Sequence, residues 1–177
     1  AQRLRDALAP HCERIELAGS LRRQKPMVGD IEVVAIPRLQ KNIFGEPIPF
    51  LATLLDDFLA GKVVFVKNGP RYKQFAYGPY KVDLFLPTAE TWGSVFTIRT
   101  GSADFTHWLV SQQPHGAAPF GLAFDGGRLY AHGRLLATPE EADVFAALGL
   151  APIDPAERIG PIANPARIAP LWNYAQE

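Results

Sequence analysis

Sixteen prolines and fifteen glycines punctuate the 177 residues of this chain. A helix or strand here cannot run far before it meets a residue that bends or ends it. The pieces in between are therefore short, and their apolar spacing switches repeatedly between helical and strand periods. Residues 2–8 have helical spacing, and 14–18 alternate as a half-buried strand does. A basic turn fills 21–26. The β-branched run 28–36, stopped by Pro37, predicts a central strand. Residues 45–49 are expected as a loop and 50–59 as a helix. Strands are expected at 63–67, 72–77 and 80–86, the last two joined by a turn at Gly78-Pro79. The stretch 92–113 reads as helical, and 120–124 with 128–132 as a hairpin about Gly126-Gly127. Thr138 is the expected cap of a last helix, with Pro139 in its first position and Glu141 closing a capping box. The expected class is α+β: a mixed β-sheet with helices over residues 1–88, then a smaller α/β subdomain over 89–177.

Composition narrows the function classes. Lysine and arginine balance aspartate and glutamate, so the net charge is zero and any nucleic-acid affinity must come from local placement. No run approaches the ~20 apolar residues of a membrane-spanning helix, so no membrane partner is expected. Cys12 is the sole cysteine, which excludes an intrachain disulfide and a thiolate zinc cluster and fits a cytoplasmic protein. His11, His107, His115 and His132 are scattered without metal-ligand spacing.

Chemistry concentrates in two stretches, Ala18-Gly19-Ser20-Leu21-Arg22-Arg23 and Gly29-Asp30-Ile31-Glu32-Val33. Asp30 and Glu32 are two apart on a predicted strand, so both leave the same face. Neighbouring carboxylates repel, and such a pair normally needs a cation between them. Asp83 stands in a matching context, Lys81-Val82-Asp83-Leu84-Phe85. If the two strands are neighbours, three acids can gather, a set suited to a pair of hard divalent ions shared with substrate phosphates. Gly19 permits close backbone approach to an anion, the amides after Ser20 can open a helix, and Arg23 adds positive charge for a triphosphate.

The run from Ala18 to Val33 resembles the signature of the nucleotidyltransferase superfamily, and more specifically that of the family X (DNA polymerase beta-like) DNA polymerases. Thr100-Gly101-Ser102 is similar to that family's second element. The segment from Gly133 through Leu148-Gly149-Leu150 is similar to its closing subdomain. The likeness spans residues 19–158 in the family's order. It implies a nucleotidyltransferase palm followed by a small thumb-like subdomain. It implies transfer of a nucleoside monophosphate from a nucleoside triphosphate to a DNA 3′-hydroxyl, in a primer/template or gapped duplex, as in short-gap repair. Asp30, Glu32 and Asp83 would be catalytic residues and ligands of two Mg2+ ions, with Mn2+ as a substitute, and Asp83 would accept the hydroxyl's proton. Gly19, Ser20 and Arg23 would hold the triphosphate, and Gly101, Ser102 and Thr106 the sugar and base. The family's DNA-gripping amino-terminal region is not in this sequence, so a protein partner supplying that grip is expected.

Two rival readings stand beside this one. One is a stand-alone nucleotidyltransferase acting on an RNA end or a protein hydroxyl, and the other is a weakly catalytic module that binds DNA ends. Lys62, Lys67, Arg71, Lys73 and Lys81 read either as a basic strip that tracks a nucleic-acid backbone, with Lys73 and Lys81 as the expected contacts, or as a solvated sheet face. The aromatic residues among them, Tyr72 included, are expected mostly in the core. Glu140, Glu141 and Asp143 are expected as exposed helix charges.

Overall fold

The computed structural model describes residues 1–49 and 63–169. The helix expected at 50–59, Lys62, Trp172 and Tyr174 lie outside them. The fold is mixed α+β and forms two compact units: Ala1–Leu21 with Pro26–Pro87, and Arg22–Lys25 with Thr88–Glu177. The division after Pro87 is one residue before the expected seam, and four residues of the basic turn belong to the second unit.

The first unit is a five-stranded sheet in the order β1-β2-β7-β6-β5. Its strands are β1 (Cys12–Leu17), β2 (Asp30–Pro37), β5 (Phe65–Asn68), β6 (Tyr72–Tyr77) and β7 (Tyr80–Phe85). Helix α1 (Gln2–Leu8) precedes β1, and the short α2 (Gly19–Arg22) follows it. The β2–β7 pair is parallel and the other neighbours are antiparallel. One sheet face is apolar apart from the buried Lys73. Ile15, Ile31, Val33, Ala35, Phe75, Val82 and Leu84 bury there against Leu4 and Leu8 of α1, which lie one helical turn apart. Phe75 is fully buried, with its ring edge-on to Phe65 at 5.8 Å. Each of these side chains larger than alanine contributes about 1.5–3 kcal/mol on burial. Gly78, with φ +59° ahead of Pro79, makes the tight β6–β7 turn.

Residues 45–49 correct the expectation of a loop. Pro47–Pro49 (β4) pairs antiparallel with Leu39–Lys41 (β3) as a separate two-stranded ribbon. Asn42 organises its tip: its side-chain oxygen accepts from the amides of Phe44 and Glu46, and its amide nitrogen donates to Glu46. A strand rich in proline is concealed from propensity but is tolerated at an edge.

The second unit packs α3 (Trp92–Thr100), α4 (Ala103–Val110) and α5 (Glu141–Ala147) with an antiparallel sheet in the order β10-β9-β8. The strands are β8 (Leu122–Asp125), β9 (Arg128–Ala131) and β10 (Arg134–Leu136). Phe105, Leu109, Leu122, Leu129, Val144, Phe145 and Leu148 form its core. The sequence reading missed β10. Its turn is His132-Gly133, both with positive φ (47° and 79°), a tight two-residue hairpin made with an uncommon first residue. The start of α5 is also corrected. Glu140, not Thr138, is the N-cap, and it forms the capping box with Asp143. The Thr138 backbone is engaged elsewhere, donating to Glu90 O and accepting from Gly93 N. Gly93 has no room for a side chain, because a Cβ would fall 2.1 Å from Glu140 O.

Candidate active site

The polar face of the first sheet opposes its buried face. Cross-strand register puts Asp30 beside Lys81 and Glu32 beside Asp83 on the parallel β2–β7 pair, and Gln74 beside Asp83 on β6. Registered partners point to the same side, so Asp30, Glu32, Asp83, Gln74 and Lys81 share one face. Asp83 on the opposite face would have removed the basis for a three-acid site.

Asp30 and Asp83 converge on one cation. Lys81 Nζ lies 2.9 Å from an oxygen of each. Asp83 is 6% exposed, and its other oxygen accepts from Tyr72 Oη and from Gln74 Nε2 at 2.7 Å. Burial alone would raise the Asp83 carboxyl, but hydrogen bonds from Tyr72, Lys81 and Gln74 outweigh it and hold it below the usual carboxylate range. The Lys81 ammonium is raised in turn by its hydrogen bonds to Asp30 and Asp83. Glu32 turns toward α2: its carboxylate packs so closely on Gly19 that a Cβ there would fall 1.8 Å from Oε2. Gly19 also has φ +59°, in the left-handed region. The Gly-Ser element and the second acid are thus in direct contact.

That contact yields a test. Gly19→Ala should cost about 1 kcal/mol of stability through φ strain. It should cost more than tenfold in any activity that depends on Glu32, because the methyl displaces the carboxylate. Thermal melts beside an activity assay check both. Equal losses from Gly19→Ala and Ser20→Ala would contradict the steric account.

A metal site implied by the resemblance can be weighed on the same geometry. Among the described residues no group of three or more His, Cys, Asp and Glu side chains stands together as a metal site. Asp30 and Asp83 nevertheless present oxygens to one positive atom, with the Lys81 ammonium as the stand-in ion. The donors are carboxylate oxygens, the type hard divalent ions take. The residues fit a cation between Asp30 and Asp83, with Glu32 adjacent in register.

Ser20 stands beside Gly19 in α2, within the first unit, whereas Arg23, Gly101, Ser102 and Thr106 lie in the second unit and have local partners. Arg23 donates to Thr100 O at 2.6 Å, and its buried Nε has no partner among the described residues. Ser102 caps α4 by accepting from Phe105 N. Thr106 donates to Ile98 O, and a Cβ on Gly101 would fall 2.8 Å from Thr106 Oγ1. Gly101 and Thr106 therefore form one packed corner at the start of α4.

The basic strip needs correction. Lys73 is 2% exposed, on the apolar side with Phe75, and its ammonium donates to Asn68. Alternation sends it inward, so it is not a nucleic-acid contact. Lys81 is half exposed but engaged with the two aspartates. Among the described residues, Lys67 and Arg71 are the exposed remainder of the strip. Cys12 is buried, and burial pushes its thiol up to about 11, away from nucleophilic use.

Two groups escaped the sequence reading. Tyr72 and Gln74 hold Asp83, and Arg22, Glu141 and the buried Arg158 form a partly buried charged triad. Period-2 spacing on β6 puts Tyr72 and Gln74 on one face, but only the register shows that this is the acids' face. No protein-family model and no curated protein sequence matches the chain.

Proposed function

We propose that this chain is a nucleotidyltransferase of the family X type. It transfers a nucleoside monophosphate from a nucleoside triphosphate to a DNA 3′-hydroxyl and releases pyrophosphate. In this reading the first unit is the palm and the second the thumb-like subdomain. The supporting observation is the meeting of Asp30 and Asp83 on one cation, with Glu32 in register beside Asp83 and packed on Gly19.

Asp30, Glu32 and Asp83 would hold two Mg2+ ions, or Mn2+, which when bound acidify the attacking hydroxyl and neutralise charge on the leaving pyrophosphate. Asp83, kept anionic by its donors, accepts the proton of the acceptor hydroxyl. With no metal bound, Lys81 relieves the repulsion between Asp30 and Asp83. Gly19, Ser20 and Arg23 bind the triphosphate, and Gly101, Ser102 and Thr106 border the nucleoside. Among the described residues no helix is long and apolar enough to cross a membrane, and a cytoplasmic role in gap repair goes with this reading.

DNA binding by the chain alone should be weak and salt-sensitive. With Lys73 buried and Lys81 paired, Lys67 and Arg71 leave two phosphate contacts among the described residues of the strip. Raising salt from about 50 to 200 mM should then weaken binding by about tenfold. Fluorescence anisotropy on a gapped duplex measures it, and tight binding indifferent to salt would oppose the reading. A partner that grips the DNA would supply the missing affinity.

The deciding assay incubates the chain with a gapped duplex, a single strand and an RNA end. Each labelled nucleoside triphosphate is supplied in Mg2+ and then in Mn2+. Extension of the gapped duplex supports the proposal. Labelling of the RNA or of the protein itself favours the stand-alone nucleotidyltransferase. DNA-end binding without any transfer favours the weakly catalytic module.

A further inference from the structure

We propose that Tyr72 is a positioning residue for the reaction: it aims the Asp83 carboxylate so that the oxygen facing Asp30 is the one presented for chemistry. The inference rests on the nucleotidyl-transfer reading and adds a residue that none of its motifs contains.

The two oxygens of Asp83 are treated differently. Oδ1 accepts from Tyr72 Oη and from Gln74 Nε2, and Gln74 Nε2 also lies 3.0 Å from the tyrosine oxygen. Two donors occupy the in-plane lone pairs of Oδ1, leaving it little capacity to take a proton or a cation. Oδ2 faces the Lys81 ammonium that it shares with Asp30. A carboxylate pinned at one oxygen cannot rotate to exchange them. Asp83 then works through a single oxygen, and that oxygen is the one on the Asp30 side.

The hydroxyl is itself held. The Tyr72 ring stacks on Phe85, its register partner on β7, with centroids 5.0 Å apart and an interplanar angle of 21°. Lys67 Nζ lies 5.6 Å over the same ring. The ring's apolar contacts belong to the sheet, while the hydroxyl's contacts belong to Asp83 and Gln74. Tyr72→Phe separates the two functions, because it keeps the stack and deletes only the donor. Its expected effect is therefore on turnover rather than on folding or nucleotide affinity.

The test compares wild type with Tyr72→Phe on a gapped duplex with a saturating nucleoside triphosphate. Carboxyl NMR of 13C-aspartate-labelled protein without metal or nucleotide runs alongside. The expected result is a kcat lower by about 10- to 100-fold, the range for losing an outer hydrogen-bond partner of a catalytic group. KM for the nucleotide and the melting temperature should stay near wild type, and the Asp83 resonance, assigned by its loss in Asp83→Asn, should shift. An active wild type with unchanged kcat in Tyr72→Phe would overturn the positioning role alone. So would a fall in melting temperature with a parallel rise in KM, the mark of a structural residue. An unmoved Asp83 resonance would overturn it as well. A wild type with no transfer on any acceptor would overturn the parent reading, and the positioning role with it.

Discussion

Asp83→Asn should lower nucleotide transfer by about a thousandfold, the scale of removing a catalytic base together with its electrostatic contribution. The replacement is close to isosteric. Val82 and Leu84 on either side of it bury in the opposite core, so the strand should hold. The new side chain can keep a carbonyl toward Tyr72 and Gln74, which then turns an amide NH2 toward the Lys81 ammonium, where two donors meet. Repulsion of that kind displaces Lys81 and removes the point at which Asp30 and Asp83 meet. Nucleotide affinity should change far less, because the residues proposed for the phosphates are Gly19, Ser20 and Arg23. A loss confined to kcat, with KM little changed, is the signature of an interaction made in the transition state. Turnover above about a tenth of wild type, a loss under 1.4 kcal/mol, would remove Asp83 from the chemistry and the polymerase reading with it.

How far this site is legible from sequence depends on what each residue needs. Asp30, Glu32 and Asp83 stand out because an acid inside a β-branched strand conflicts with its neighbours, and a two-residue spacing fixes the face. That β2 and β7 are parallel partners cannot be read the same way, since their register is set by chain crossing over some fifty residues. Tyr72 and Gln74 fail to stand out for that reason: a tyrosine and a glutamine on a strand look ordinary until Gln74 is seen opposite Asp83. Lys73 misleads in the other direction. A lysine beside other basic residues suggests a solvated strip, yet alternation from Phe75 places it on the buried side. Glu141 misleads through helix grammar. Thr138-Pro139-Glu140-Glu141 reads as a cap, a first residue and an exposed pair of acids, but the charges that claim Glu141 come from positions 22 and 158.

The triad around Glu141 carries the second large effect. Arg22 donates through both terminal nitrogens to the two carboxylate oxygens at 2.8 and 2.6 Å, and Arg158 donates to Oε1 at 2.5 Å. Thr97 adds a longer contact at 3.3 Å. The Arg22 guanidinium lies over the Phe96 ring at 3.8 Å, and Arg158 also donates twice to Ile153 O. The Arg158 side chain is only 3% exposed, so Glu141→Ala would leave a buried guanidinium facing a second one without the anion between them. Breaking a buried ion pair from one side costs about 3–5 kcal/mol, more than the pair's net contribution, because the stranded charge stays desolvated. Removing all three charges together should therefore cost less than removing Glu141 alone. The pH dependence has a definite sign. Burial by itself would raise the Glu141 carboxyl, but the hydrogen bonds and charges of Arg22 and Arg158 outweigh it, so its folded pKa lies below the unfolded one. The stabilisation is complete above the ordinary carboxylate range and is lost as pH falls through the folded value. The deficit of Glu141→Ala should thus be largest near neutral pH and shrink in acid. Tryptophan fluorescence reports on this unit, because Trp92 and Trp108, the tryptophans among the described residues, belong to it. A variant melting within about 1 °C of wild type at neutral pH would mean that the triad adds almost nothing to stability. A deficit that grows in acid would mean that some other group, and not this carboxylate, sets the acid limit of the second unit.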